Sequence, residues 1–218
     1  MGAILYSFLA ISSLLSTAFC FPFRSASQQL QPQQPTLDGL PSNSNVTLRY
    51  VALGVGNQNY TCNGTAWVQT NAGDGALATL YDATSWLAAD TSAIKTLPAN
   101  RLARFKAAND GQDLANLLPY LKPLGIHYFD ESNRPTFNLT HANPPLVLSS
   151  RKIDSVAAPV ADAIAWLYLL DADDGITDGL KAVYRVETAG GVAPSSCSSG
   201  QTGSQTSIPY AAEYWLYD

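Results

Sequence analysis

The sequence predicts a mainly β domain, an antiparallel β-sandwich or barrel with a short helical insertion around residues 92–121. Three observations predict it. Eight or nine short segments are alternating or continuously apolar, and Gly, Pro and Asn separate them. Between Ser92 and Leu121 the leucines change to helical spacing. Cys62 and Cys197 can join the first strands to the last.

The chain begins with an uncharged, mostly apolar stretch that predicts a secretory signal peptide over residues 1–18. Small residues at Ser16 and Ala18 favour cleavage after Ala18, and Cys20 is the alternative boundary. The stretch is short for a transmembrane span, so an uncleaved anchor is the weaker interpretation. We therefore expect a secreted, extracellular protein with no membrane association once the signal is removed.

Residues 19–45 are rich in Gln, Pro and Ser and carry few apolar groups. Such a segment cannot bury enough surface to offset its chain entropy, so it is predicted to be a disordered tether. A single β-rich domain is expected over residues 46–218, which is enough chain for one sizeable core.

The first strands are predicted at Leu48–Val55, Gln58–Cys62 and Thr65–Thr70. Asn63-Gly64 is a strong signal for a two-residue hairpin, which places Cys62 opposite Thr65 and Tyr60 opposite Trp67. Later strands are predicted at Leu77–Tyr81, Gly125–Phe129, Thr136–Leu139, Ala163–Leu170 (or a short buried helix), Leu180–Thr188 and Ile208–Tyr217. In Leu180–Thr188, alternation assigns Lys181, Arg185 and Glu187 to the solvent-facing side.

The helical insertion is predicted from Leu102, Phe105 and the leucines that follow them. Asn109-Asp-Gly111 divides the insertion into two short helices. Arg101, Arg104 and Lys106 are interpreted as the solvated face of the first helix rather than as a phosphate-binding cluster.

Composition excludes one class of partner and supports export. With 12 Lys and Arg against 17 Asp and Glu, the chain carries a net charge of −5, so nucleic acid is not an expected partner. Four Asn-X-Thr triplets predict N-glycosylation. The acceptor residues are Asn45, Asn59, Asn63 and Asn138. In an oxidising compartment Cys62 and Cys197 are expected to pair, and reactive free thiols are the alternative.

Two motifs resemble ligand sites but do not fit them. Gly54-Val-Gly56 follows a strand like the start of a dinucleotide fingerprint, yet no third glycine follows, so both glycines are interpreted as turn residues. The acidic stretch 171–178 does not match the register of a calcium-binding loop and is interpreted as a surface turn. No cofactor and no metal site are expected.

His127 is the one candidate for catalysis, with Asp82 or Asp130 as its acidic partner. A histidine beside a carboxylate can act as a general base in a secreted hydrolase or lyase. The alternative is a half-buried histidine bonded to a backbone carbonyl. No known catalytic motif is visible, so whether the chain is an enzyme stays open, and a dehydrogenase is disfavoured.

Aromatic residues favour a different function, non-catalytic binding of an extracellular polysaccharide or of a cell-wall or host surface. Most of the aromatics are expected in the core. Trp86, Trp215 and Tyr217 are the candidates for exposed, sugar-stacking side chains. This binding function is the leading hypothesis, and the hydrolase or lyase is the second.

Several motifs in order resemble a known family. They run from Gly54-Val-Gly-Asn-Gln-Asn-Tyr-Thr-Cys62 through Gly125-Ile-His-Tyr-Phe129 and Val183-Tyr-Arg-Val-Glu187 to Pro209-Tyr-Ala-Ala-Glu-Tyr214. Over residues 48–218 the chain resembles DUF3455, a secreted family of unknown function found in fungi and bacteria. The tether and the helical insertion are similar to fungal members. Fungal members are often labelled malate dehydrogenase, a label that this sequence does not support.

Overall fold

The computed structural model describes residues 2, 31–70, 73–107 and 120–218. The predicted signal peptide, apart from Gly2, and the predicted break at Asn109–Gly111 lie outside this part of the chain. The described residues contain nine strands and two α-helices. The strands are β1 Leu48–Cys62, β2 Trp67–Gln69, β3 Ala76–Asp82, β4 Lys122–Phe129, β5 Pro135–Leu139, β6 Leu146–Val156, β7 Trp166–Asp171, β8 Ala182–Gly190 and β9 Gln205–Tyr217. The helices are α1 Thr84–Ala89 and α2 Leu97–Ala107, with a 3-10 turn at Thr91–Ala93 between them.

The strands form an antiparallel barrel, which confirms the predicted fold class. Neighbours follow the order β1-β3-β4-β5-β6-β7-β8-β9, and β9 pairs with β1 over almost its whole length to close the ring. The short β2 pairs only with the end of β1. Closure leaves no free edge among the eight barrel strands, so their backbone groups are paired all the way round.

Both faces of part of the barrel wall are buried, because the helices cover its outer surface. Alternate residues of β9 show the division: Ala212 and Leu216 belong to the interior core, whereas Ala211 and Trp215 belong to a second core beneath α1 and α2. The helical insertion is confirmed, but its helices begin at Thr84, before the predicted residue 92. Alternation between buried and exposed residues is therefore absent from this part of β9, since both of its faces are buried.

Gly54 and Gly56 lie within β1, which is one continuous strand rather than the two that were predicted. Their interpretation as turn residues is wrong. A Cβ on Gly54 would stand 2.5 Å from the ring of Tyr214, and one on Gly56 would stand 2.0 Å from the carbonyl oxygen of Leu77. Glycine is required here because neighbouring strands and an interior ring approach the backbone closely.

The predicted two-residue hairpin at Asn63-Gly64 is wrong in its register. Cys62 pairs with Trp67, so the connection contains four residues instead of two. The Asn63 side-chain oxygen accepts hydrogen bonds from the backbone N–H groups of Thr65 and Ala66, at 3.0 and 2.9 Å, and this stabilises the longer turn. The shift of two residues keeps Cys62 and Trp67 on the same face.

The predicted disulfide is confirmed: Cys62 and Cys197 are bonded, with Cα atoms 6.0 Å apart. It joins the end of β1 to the segment that precedes β9. The folded part of the chain also begins before Val46. Leu40 is buried in the core beneath the helices, and the backbone oxygen of Pro41 accepts a hydrogen bond of 2.6 Å from Tyr184.

Candidate functional site

His127, the candidate general base, is packed inside the barrel. Its side chain is 3% exposed and stacks on Phe137 with ring centroids 4.3 Å apart. Nδ1 lies 2.9 Å from the carbonyl oxygen of Thr136, so the tautomer with a proton on Nδ1 donates this bond. Burial and, to a smaller extent, the charge of Arg185 lower the pKa of His127 to about 4, although the hydrogen bond to Thr136 opposes this fall. The imidazole is therefore neutral near pH 7 and serves packing.

Neither of the proposed acidic partners contacts His127. Asp82 accepts a hydrogen bond of 2.9 Å from the backbone N–H of Thr84, and Asp130 accepts one of 2.8 Å from that of Arg134. Both carboxylates thus cap turns that follow a strand. Within the described part of the chain, the histidine–carboxylate pair required by the hydrolase or lyase hypothesis is not formed.

Two of the three aromatic candidates are not exposed. Trp215 is 0% exposed, and Tyr217 is 7% exposed. Both lie in the core beneath the helices, so the prediction that they face solvent is wrong. Trp86, on α1, is half-buried, and the guanidinium of Arg101 lies 4.9 Å from its ring centroid. The three side chains do not form a continuous stacking surface.

A cavity of about 870 Å³ opens at one mouth of the barrel. Its walls are the end of β1, the β4–β5 turn, β6, the segment 157–165 that leads into β7, and β8. More than half of its lining residues are apolar, with Ile164, Leu167 and Leu169 on the inner wall. A volume of this size is typical of small-molecule sites, which usually combine apolar walls with a few polar groups.

Arg185 of β8 lies in this cavity, not on the outer surface as alternation had suggested. It pairs across the sheet with Leu167 and with Tyr214, and both of these belong to or pack on the interior core. Its Nε and Nη2 atoms donate to the carbonyl oxygen of Ala165, at 3.1 and 2.8 Å. This fork fixes the guanidinium plane at the cavity wall.

Gln58 and Tyr60 of β1 complete the polar part of the wall beside Arg185. Gln58 is 4% exposed, and among the described residues its side-chain amide has no hydrogen-bond partner. The Tyr60 hydroxyl donates to the carbonyl oxygen of Gly191 at 2.6 Å. Burial raises the pKa of Tyr60, and the charge of Arg185 opposes that rise. A hydrogen-bonding amide and a cation therefore face the same enclosed space.

A second buried ionisable group, Glu213 of β9, lies on the opposite face of the barrel wall. It is 0% exposed, and its Oε2 accepts a hydrogen bond of 2.9 Å from the indole N–H of Trp215. Its other oxygen, Oε1, is buried without a hydrogen-bond partner. Burial and, to a smaller extent, the nearby Glu187 raise its pKa to about 8, although the bond from Trp215 opposes this rise. Glu213 is thus protonated near pH 7.

The acidic stretch 171–178 serves a structural purpose. Asp174 accepts hydrogen bonds from Arg134 at 2.5 Å and from the buried Ser149 at 2.6 Å. These bonds and that from the backbone of Ile176 lower the pKa of its carboxyl group. In the described residues, no group of three or more His, Cys, Asp or Glu side chains is arranged to hold a metal ion.

The four predicted glycosylation positions differ in accessibility. Asn45 and Asn63 are exposed in turns, and Asn59 and Asn138 are half-buried within strands. The Asn59 side chain donates to Asp74 at 2.8 Å and accepts from Ser207 at 2.6 Å. Asn45 and Asn63 are thus the more accessible of the four predicted acceptors. No helix among the described residues has the length and apolar character to cross a membrane.

Sequence reasoning missed Glu213 as a buried group and Arg185 as a residue of the cavity wall. For Glu213 a signal was present, because it is the one charged residue in the apolar run Tyr210–Tyr217. For Arg185, alternation correctly predicted a polar face of β8 but wrongly placed that face on the outside of the protein. The side chain of Arg185 points into the cavity.

Comparison with known families supports the resemblance noted from the motifs. A family model described as a protein of unknown function, DUF3455, matches residues 41–218. The match begins where the chain packs onto the barrel and extends to its last residue. No curated protein and no solved structure gives a significant match to the chain.

Proposed function

Since the chain belongs to the DUF3455 family, whose function is unknown, we propose from its own geometry that it is an extracellular binding module. It holds a small ligand in the mouth of its barrel. The observation that carries this proposal is the cavity of about 870 Å³ with Arg185 and Gln58 on an otherwise largely apolar wall. Such a combination gives affinity through apolar contact and orientation through a few fixed polar groups.

Secretion is part of the proposal. The apolar leader and the Asn-X-Thr triplets support it, and the Cys62–Cys197 bond is compatible with an oxidising compartment. The cell wall or a host surface remains the place where we expect the module to act. Burial of Trp215 and Tyr217 moves the expected contact from a flat aromatic surface to the cavity.

The test fills the cavity and measures binding. Leu167→Trp places a large side chain on the inner wall, and Leu77→Trp makes the same exchange at a strand position that is 57% exposed and outside the cavity. The mature protein and both variants are screened by thermal shift against wall oligosaccharides and small apolar compounds, and the ligands found are measured by calorimetry.

We expect ligands that bind the wild type and Leu77→Trp equally and bind Leu167→Trp at least tenfold more weakly. Melting temperatures of the two variants show whether each is folded. The absence of any ligand, or ligands that bind Leu167→Trp as well as the wild type, would contradict a binding site in the barrel mouth.

A further inference from the structure

The charged residues that line the cavity all have the same sign. They are Arg134, Arg151, Lys152 and Arg185, and among the described residues no Asp or Glu lines the cavity. The chain as a whole has more acidic than basic residues and a net charge of −5. The cavity is therefore a cationic site within an acidic protein, and its charge is complementary to that of an anion.

Two of the four cations already have acidic partners at the rim. Arg134 pairs with Asp174 at 2.5 Å, and Arg151 lies 3.8 Å from Asp173. Lys152 is exposed to solvent. Within the described part of the chain no carboxylate lies within 4.0 Å of the Arg185 guanidinium, and Arg185 is half-buried, so it is the cavity cation that has neither an acidic partner nor full exposure to solvent.

Neutral groups surround Arg185 inside the barrel. Burial raises the pKa values of Tyr210 and Tyr214, and the positive charge of Arg185 opposes this rise in both. The same charge adds to the lowering of the pKa of His127, which keeps that imidazole neutral. A partly enclosed guanidinium without a counter-ion is costly, so an anion that enters the cavity gains a strong interaction there.

The guanidinium is oriented before any ligand arrives. Because the carbonyl oxygen of Ala165 holds Nε and Nη2, Arg185 does not have to lose side-chain freedom on binding. Gln58 adds a buried amide whose N–H groups are unused among the described residues. An amide and a guanidinium together suit a carboxylate, which accepts several hydrogen bonds.

We propose that the ligand is an organic carboxylate with an apolar body, its acidic end bound by Arg185 and Gln58 and its body packed on the aliphatic wall. This inference rests on the proposed function and names the chemical class of the ligand. The aliphatic part of the wall beside Arg185 includes Ile164, Leu167 and Leu169, whose side chains offer no hydrogen bonds to sugar hydroxyls. Burying unpaired hydroxyls there would cost free energy, so the wall disfavours an acidic oligosaccharide.

The first experiment changes the ligand and leaves the protein intact. Decanoate, decanamide and decyltrimethylammonium share one alkyl chain and differ in the charge of the head group. Calorimetry on the wild-type mature protein is expected to give decanoate at least tenfold tighter binding than decanamide, and no measurable binding of the cation. Oligogalacturonate, an acidic sugar, is expected to bind at least tenfold more weakly than decanoate.

The second experiment changes the protein. Arg185→Gln is expected to remove the preference for decanoate over decanamide, and Gln58→Leu is expected to weaken decanoate binding three- to tenfold. Arg49→Gln is the matched control, since that cation is paired with Asp218 and does not line the cavity, and a change of less than threefold is expected. If Arg185→Gln does not fold, Arg185→Lys, which keeps the charge, is expected to retain part of the preference.

The results separate this inference from the proposed function. Decanamide binding that equals decanoate binding, with both lost in Leu167→Trp, would overturn the carboxylate and leave the binding module in place. An unchanged preference in Arg185→Gln, or tighter binding of oligogalacturonate, would also overturn it. Failure of every probe and of the wider screen would overturn both.

Discussion

The two faces of the barrel wall each enclose an ionisable side chain, and the difference between them indicates which face binds a ligand. Arg185 points into a cavity that opens to solvent and lacks an acidic partner among the described residues. Glu213 is sealed beneath the helices, 0% exposed, and bonded to Trp215. A cation facing an open cavity can attract a ligand, whereas an enclosed carboxyl group relieves its burial by taking up a proton.

The largest expected effect is on the enclosed face, where Glu213 makes the stability of the protein depend on pH. Its pKa is about 8 in the folded protein against 4.5 for the unfolded chain. Stability from this group is complete below pH 4.5 and is lost as the pH rises towards 8, by on the order of 4 kcal/mol. Glu213→Gln keeps an oxygen for the indole N–H of Trp215, so we expect the loss between pH 5 and 8 to disappear.

Urea unfolding at pH 5 and pH 8 measures this effect. Glu131→Gln, at an exposed position, makes the same exchange and is expected to leave the pH dependence of the wild type unchanged. If wild type and Glu213→Gln lose equal stability between the two pH values, the carboxyl group is not enclosed as described.

His127, inside the barrel, is expected to change stability with pH in the opposite direction, with a loss as the pH falls. Burial lowers its pKa from 6.5 to about 4, so its contribution to stability is complete above pH 6.5 and is lost as the pH falls towards 4. We expect a loss on the order of 3 kcal/mol over this range. His127→Phe keeps the stacking on Phe137 and loses the bond to Thr136, so it should lower the free energy of unfolding by about 1 kcal/mol at pH 7. The variant should no longer lose stability as the pH falls from 6.5 to about 4.

The measurement is urea unfolding at pH 7 and pH 4, with the exposed His141→Gln as the control. Decanoate affinity is measured at pH 7 in the same variants. Because His127 does not line the cavity, we expect His127→Phe to bind within twofold of the wild type. A large loss of affinity with unchanged stability would give the interior histidine a direct role in the site.

The predictions from the sequence succeeded where a feature depends on neighbouring residues and failed where it depends on contacts between distant parts of the chain. Alternation located most of the strands and the disulfide joined the expected cysteines, because both depend on local pattern or on a simple count. Strand β6 was missed, since its middle carries the polar residues Ser149 and Ser150, which are 0% exposed and hydrogen-bonded to Asp174 and to the Pro135 carbonyl. Their partners are distant in sequence, so the local pattern could not identify these serines as buried.

The candidate site was predicted poorly for a related reason. Alternation separates the two faces of a strand but does not say what covers each face. Trp215 was expected to be exposed because the helices that bury it lie more than a hundred residues earlier in the chain. Arg185 was assigned to the outer surface because polar residues occur both on cavity walls and on outer surfaces, and the sequence pattern is the same in the two cases.

The smallest expected effect concerns Trp86, the one aromatic candidate that is only half-buried. It packs against the core beneath the helices and stacks with Arg101, so Trp86→Ala should cost about 1–2 kcal/mol. Trp86→Phe keeps an aromatic face and should cost less. Because Trp86 does not line the cavity, we expect decanoate affinity to be unchanged in both variants.

Pull-down on insoluble wall polysaccharide completes this test. If Trp86→Ala abolishes polysaccharide binding while Trp86→Phe and Leu167→Trp retain it, the outer surface at α1 is the binding surface and the comparison drawn above is broken. If the protein does not bind the polymer, or if Trp86→Ala binds it as the wild type does, α1 has only a structural role. We expect the second result, because a single half-buried indole already covered by an arginine offers little free ring surface to a sugar.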